Sequence, residues 1–273
     1  MQAQGDELAF LQFMSRHLVA LVGEVELYDR KTRQWIRKVS AISGFVLSLH
    51  DTWYWLTAGH CLQRLDKGLR DGTLRISNGH FMDYFGAGAS YRVGLPYAYE
   101  LGDGRYLHRP DLGLDFGLLK IGELMRKGFE SNGVVAISRA NWLEQPSVEF
   151  LHYKMLGLPA QSIDDSTVIH ADDRISAFIQ PVMLAIDRLN PQQLPDPPAD
   201  TWFAGHIHPE ANIENIVGMS GGPIFGFFRM ENGGWGYKIV AVQSRWRPET
   251  RTVFGCSVPL FAEAVHKTLA SAD

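Results

Sequence analysis

The chain has 273 residues, 45% of them hydrophobic and 21% charged, with a formal net charge of −4. That hydrophobic share supports a sizeable core and excludes a chain dominated by disorder. There is no basic tail and no Lys/Arg-rich run, so the electrostatic footprint of a nucleic-acid binder is missing. No apolar run reaches membrane-spanning length.

The 27 Gly and 13 Pro are spread along the chain, which suits many short strands joined by turns. Residues 7–17 place Leu8, Phe10, Leu11, Phe13 and Met14 at helical spacing and predict a short amphipathic helix. Strands are expected at 18–27, at 39–49 and at 52–58, the last two joined by the turn His50-Asp51. Further strands are expected at 74–77, 116–121, 134–137, 149–156 and 175–184. Residues 190–200 hold four prolines and read as a loop. Two strong strands at 223–229 and 237–243 flank a turn containing Asn232-Gly233-Gly234. A strand at 252–258 precedes a closing helix with Leu260, Phe261, Ala264, Val265 and Leu269 on one face. Many short strands with one terminal helix suggest β-barrels or a sandwich.

Three segments carry chemistry. In Leu56-Thr57-Ala58-Gly59-His60-Cys61, an apolar strand ends in small residues that leave an imidazole at the edge of a cleft. In Leu114-Asp115-Phe116-Gly117-Leu118-Leu119, a carboxylate opens a strongly apolar strand. Such an aspartate is an ordinary turn residue or a buried acceptor that orients a histidine. In Gly218-Met219-Ser220-Gly221-Gly222-Pro223, glycines around a serine permit unusual backbone angles and close approach of a substrate. The N–H groups of Gly218 and Ser220 are then candidates to share one developing oxyanion, and one such donor is worth about 100- to 1,000-fold in rate.

His60, Asp115 and Ser220 occur in the order His, Asp, Ser, and each segment resembles a motif of the trypsin-like (chymotrypsin-fold) serine peptidases. The family's Thr-Ala-Ala-His-Cys is here Thr57-Ala58-Gly59-His60-Cys61. Its Asp-Ile-Ala-Leu-Leu is Asp115-Phe116-Gly117-Leu118-Leu119, and its Gly-Asp-Ser-Gly-Gly-Pro has Met219 in place of the aspartate. The resemblance implies an all-β fold of two six-stranded antiparallel barrels with a short N-terminal and a C-terminal helix. Residues 1–17 are then an extension, 18–122 the first barrel with His60 and Asp115, and 123–273 the second barrel with Ser220 and the closing helix. It implies a serine endopeptidase acting on a protein or peptide substrate without a cofactor, with Ser220 as nucleophile, His60 as general base and Asp115 as orienter. A regulatory protein partner fits the same picture. The alternative is a catalytically silent or latent protease-fold binding module.

Departures from the family sharpen these expectations. Met219 cannot form the ion pair that a freed N-terminal amine makes with the family's aspartate, so packing must hold the oxyanion loop. Cys61 matches a family cysteine whose disulfide partner should lie in 43–48, and none is there. With two cysteines and no signal-peptide-like start, the sequence reads as a cytoplasmic, bacterial-style intracellular member. Asp111 competes with Asp115 for the acidic position. Glu214, with Asn215 beside it, stands where the family has the base of its primary specificity pocket. A half-buried carboxylate there favours Arg or Lys by up to about 4 kcal/mol at an effective dielectric near 20; the other reading is a solvated loop. Residues 240–244, with Gln243 and Ser244, should form the wall that pairs with substrate backbone, and Arg245 and Arg247 could instead favour acidic residues. Gly205-His206-Ile207-His208 has too few ligands nearby for zinc and reads as a surface loop. Asp164-Asp165 and Asp172-Asp173 read as solvated turns without calcium-loop spacing.

Overall fold

The computed structural model describes residues 2–86, 94–142, 148–160, 168–171, 174–177, 180–194, 201–211 and 213–270. Asp164-Asp165 and Asp172-Asp173 lie outside them. A helix α1 (Gln2–Ser15) is followed by strands β1 (Ala20–Asp29), β2 (Gln34–Ile42), β3 (Phe45–Leu49) and β4 (Thr52–Thr57). The single strand expected over 39–49 is thus two, broken at Ser43-Gly44. A Cβ on Gly44 would strike the Trp55 indole and come within 2.6 Å of the Leu56 carbonyl, so the backbone turns where only glycine fits. The two-residue turn His50-Asp51 has φ of 47° and 62°, the geometry of a tight hairpin. Trp53 and Trp55 both face the core, as their alternation requires.

Helix α2 (Gly59–Arg70) leads from β4 to β5 (Leu74–Met82), β6 (Leu95–Pro96), β7 (Arg105–Arg109) and β8 (Leu114–Ile121). Helices α3 (Glu123–Ser131) and α4 (Arg139–Trp142) then bridge to the second half. No strand forms over 134–137, where Ile137 makes one isolated bridge to Leu47. The second half holds β9 (His152–Gly157), β10 (Val168–Ala171), β11 (Arg174–Ala177), β12 (Val182–Leu189), β13 (Trp202–Ile207), β14 (Pro223–Arg229), β15 (Trp235–Arg247), β16 (Thr252–Ser257) and α5 (Val258–Ala270). The strand expected over 175–184 is divided between β11 and β12, with Pro181, which has no N–H to donate, just ahead of β12. His206 lies within β13 rather than in a surface loop.

The second half contains a closed six-stranded antiparallel barrel in the order β12-β13-β16-β15-β14-β9. The first half departs from the expected second copy. Its strands make two four-stranded sheets, β2-β1-β5-β6 and β3-β4-β8-β7, not closed by hydrogen bonds into one barrel. The two sheets meet at a corner, where Val19 N–H donates to the Gly44 carbonyl and Val46 N–H to the His17 carbonyl. Closure needs strand tilt and stagger to match all round the sheet, and the break at Ser43-Gly44 diverts β3 away from β2.

One apolar core lies between the halves. It includes Leu18, Phe45, Leu47 and Phe116 from the first and Leu156, Phe225 and Val242 from the second. The closing helix seals it, with Phe261 edge-on to Phe116 at 4.9 Å and against Trp142 at 5.6 Å. A polar latch beside it ties the end of the N-terminal extension to the second half. His17 Nδ1–H donates to the Val135 carbonyl at 2.6 Å, while its Nε2 accepts from the Tyr237 hydroxyl at 2.8 Å. Among the described residues no helix is long and apolar enough to cross a membrane.

Candidate active site

The site lies where the end of β4, the start of β8 and the turns around β14 and β15 converge. β4 ends at Thr57, Ala58 stays extended (φ −72°, ψ 138°), and α2 begins at Gly59. Gly59 fits because its missing Cβ would lie 2.7 Å from the Phe116 carbonyl. Ala58 has no side chain with which to cap the helix, and Asp115 at the head of β8 supplies the acceptor instead. Its Oδ1 accepts the His60 N–H at 2.8 Å, and its Oδ2 accepts from His60 Nδ1 at 2.7 Å. One carboxylate thereby fixes both the backbone and the ring of His60, with Nδ1 protonated and Nε2 turned to the cleft.

Asp115 is fully buried, and the His60 side chain is 13% exposed. Burial disfavours the imidazolium, but the hydrogen bond to Asp115, the Cys61 sulfur and the carboxylate charge more than offset it, so the His60 pKa is raised. Burial likewise pushes the Asp115 carboxyl up, and the bonds from the His60 ring, from Ser244 and from the His60 N–H overcome it and hold it below its ordinary range. Asp111, the competing acid, is exposed and paired with Arg109 at 2.8 Å. Asp115 is therefore the carboxylate that meets His60.

Ser220 is delivered by a backbone frame. Gly218 has φ +97° and Gly221 φ +94°, both in the left-handed region that favours glycine. A Cβ on Gly221 would collide with the Thr57 hydroxyl and lie 2.8 Å from the Ala58 nitrogen, so the residue after Ser220 is packed against the chain two residues before His60. Met219 is fully buried in a cluster with Met155, Ile213, Ile216 and Ile224. Packing, and no ion pair among the described residues, anchors the frame at Met219.

The Ser220 hydroxyl donates to the Ser244 carbonyl at 3.4 Å, and the Ser244 hydroxyl donates to Asp115 Oδ2. Ser244 thus couples the serine of one half to the aspartate of the other. Among the described residues Ser220 makes no hydrogen bond to His60, and the Gly218 and Ser220 N–H groups have no acceptor.

Other expected residues fall differently. Glu214 and Asn215 are exposed, and the Asn215 carboxamide closes its own turn by accepting the Val217 N–H at 2.9 Å. Glu214 therefore stands in the solvated setting, not in a half-buried pocket. Gln243 is corrected as a substrate-facing residue. Its side chain is 1% exposed, its N–H donates to the Gly222 carbonyl and its carbonyl accepts from Gly221. Residues 241 and 242 are paired on both sides, with β14 and β16, so the open edge of β15 begins only at Ser244. Arg245 is exposed and lies over the Trp202 ring at 5.2 Å.

Sequence reasoning missed three positioning residues. Ser43, buried at the strand break, donates to the Gly218 carbonyl at 2.8 Å and accepts the Leu158 N–H at 2.9 Å. The Arg251 guanidinium gathers the carbonyls of Ile213, Ala211 and His208 at 3.1, 3.0 and 3.4 Å, holding the loop that leads into the serine frame. Ser244 was expected to meet substrate, not Asp115. A small polar residue before Gly44 was the only local signal for Ser43. Cys61 and Cys256 are both free; Cys256 lies buried beside Asp115, its thiol pushed up to about 12 chiefly by burial. Among the described residues no cluster of metal-ligating side chains occurs.

No protein-family model and no curated protein matches the chain. Solved structures do. The inactivated protease paralogue S-D1 of the scabies mite aligns with a TM-score of 0.50 and 13% identity, over 94% of this chain and 93% of that one. The thermostable serine protease AL20 from an extremophilic microorganism aligns at 0.44 and 16%, over 95% and 99%. A Glu endopeptidase in complex with MPD aligns at 0.46 and 13%, over 91% and 90%. At such identities the likeness is one of fold, and the fold of this chain is chymotrypsin-like, its second barrel closed and its first half open.

Proposed function

We propose that the chain is a serine endopeptidase whose reaction centre is Ser220, His60 and Asp115. The observation that carries this reading is the hydrogen-bonded path from His60 through Asp115 and Ser244 to Ser220. Ser220 Oγ attacks the scissile carbonyl carbon while its proton passes to His60 Nε2. Asp115 stays ionised, orients the ring and stabilises its charged form. The carbonyl oxygen becomes an oxyanion that accepts hydrogen bonds from the N–H groups of Gly218 and Ser220. His60 returns the proton to the leaving amine, and the C–N bond breaks to leave an acyl-enzyme. Water, deprotonated by His60, then attacks that ester and releases the acid and free Ser220.

The halves divide this labour, residues 18–122 supplying His60 and Asp115 and residues 123–273 supplying Ser220. The substrate is a protein or peptide, with neither nucleic acid nor a membrane surface in this reading. The two free cysteines support a cytoplasmic setting, in which a protein partner regulates activity. One observation favours a latent binding module instead: the Ser220 hydroxyl faces the Ser244 carbonyl and not His60. Catalytic hydrogen bonds are often long or misaligned before substrate arrives, so the active reading absorbs it. A fluorophosphonate probe separates the two. Labelling of the wild type and not of Ser220→Ala is expected; a wild type that stays unlabelled, alone and with a peptide bound, would leave only the binding module.

A further inference from the structure

Cationic groups crowd one side of the candidate site. On α2, Gln63 and Arg64 follow His60 by three and four residues, so all three share one helix face. His108 on β7 stands beside them, its ring 5.9 Å from that of His60 and its Nδ1 bonded to Gln63 Oε1 at 2.9 Å. From the other half comes Arg245, the residue after Ser244 and the first whose side chain is exposed along the open edge of β15. Burial lowers the pKa of His108, and the charges of His60, Arg245 and Arg64 add to that effect against the opposing carboxylate of Asp115. Both guanidinium groups therefore act on the same imidazole from different halves. Arg64 and Arg245 are exposed, and among the described residues neither is paired with a carboxylate. Among the described residues the acid at the centre is Asp115, which is buried and engaged by His60 and Ser244. A chain of net charge −4 thus presents local positive charge where a substrate enters.

We infer that Arg64 and Arg245, with His108 as the wall between them, select a peptide carrying an acidic side chain close to the scissile bond. This rests on the proposed endopeptidase reading. A peptide laid along the open edge of β15 from Ser244 onward passes Arg245 and His108 before its carbonyl reaches Ser220. Closing the peptide over the site partly removes water from both guanidinium groups, and charge-assisted hydrogen bonds gain strength there.

The test reads binding without turnover. Full-length Ser220→Ala is titrated with matched peptides carrying Glu, Gln or Lys at each position around the cleavable bond. About tenfold tighter binding of Glu than of Gln at one position is expected, shrinking as salt is raised. Arg64→Gln and Arg245→Met should each narrow the Glu/Gln ratio, and Arg245→Glu should turn the preference toward Lys, with melting temperatures checking that each variant is folded. Equal binding of Glu and Gln at every position, a ratio unmoved by all three arginine variants, or no binding of any peptide overturns the inference. Fluorophosphonate labelling of the wild type reports separately on the endopeptidase reading, so either can fail alone.

Discussion

The two halves hold their parts of the site by different physics. The first, with open sheets, fixes His60 through discrete polar contacts to one buried carboxylate. The second, with a closed barrel, fixes Ser220 through backbone angles at Gly218 and Gly221 and through the buried Met219. Polar contacts can be removed with little change in packing, whereas packing cannot be altered without cost to stability. Lesions in the polar contacts around His60 should therefore cost activity, and lesions in the packing around Ser220 should cost activity and stability together.

The largest effect expected on this contrast is that of Asp115→Asn. Removing the charge and the acceptor for Nδ1–H should lower kcat by about 10⁴-fold. Asp115 raises the His60 pKa, and catalysis requires the neutral ring. The acidic limb of the wild-type pH–rate profile should thus lie above the ordinary histidine value, and the variant's limb should move to lower pH. A limb that stays in place would remove Asp115 from its orienting role.

Met219→Ala should cost about 2–5 kcal/mol in urea unfolding by opening a cavity in the second core, with activity falling alongside. Gly221→Ala should behave similarly, since it combines a positive φ with a collision against Thr57. Full activity in a clearly destabilised Met219→Ala enzyme would show that packing does not hold the serine frame.

The latch between the N-terminal extension and the second half should respond to acid. Burial, aided by the charge of Arg16 and opposed by the bond to Val135, lowers the His17 pKa to about 4. A depressed folded-state value means that this group's stabilisation is complete above about 6.5 and is lost as pH falls toward 4. The loss is about 3 kcal/mol. Unfolding free energies across that range should fall more steeply for wild type than for His17→Gln; parallel curves would break the assignment. The smallest effect belongs to Ser43→Ala, which leaves the Leu158 N–H and the Gly218 carbonyl without their partner and should cost about 1–3 kcal/mol, read from the melting curve.

Much of this was legible from local pattern. The strand that ends before His60, the apolar strand opened by Asp115 and the glycines around Ser220 each carry their signal within a few residues. Periodicity also exposed α1, α5 and the hairpin strands β14 and β15. Helix α2 is not among the expected elements, although Leu62, Leu65 and Leu69 recur at helical spacing. The middle strands were blurred where a single residue, Gly44 or Pro181, divides an otherwise continuous apolar run.

The sequence by itself determined which residue types stand in which order, and hence the chemistry available to the site. Local sequence also determined where the backbone must adopt angles open only to glycine, since those angles depend on the residue itself. Tertiary structure alone decided which aspartate reaches His60, that Ser244 links Asp115 to Ser220, that Glu214 faces solvent, and that the first half stays open. Each of these depends on distances between residues far apart in the chain, and no local preference encodes such distances.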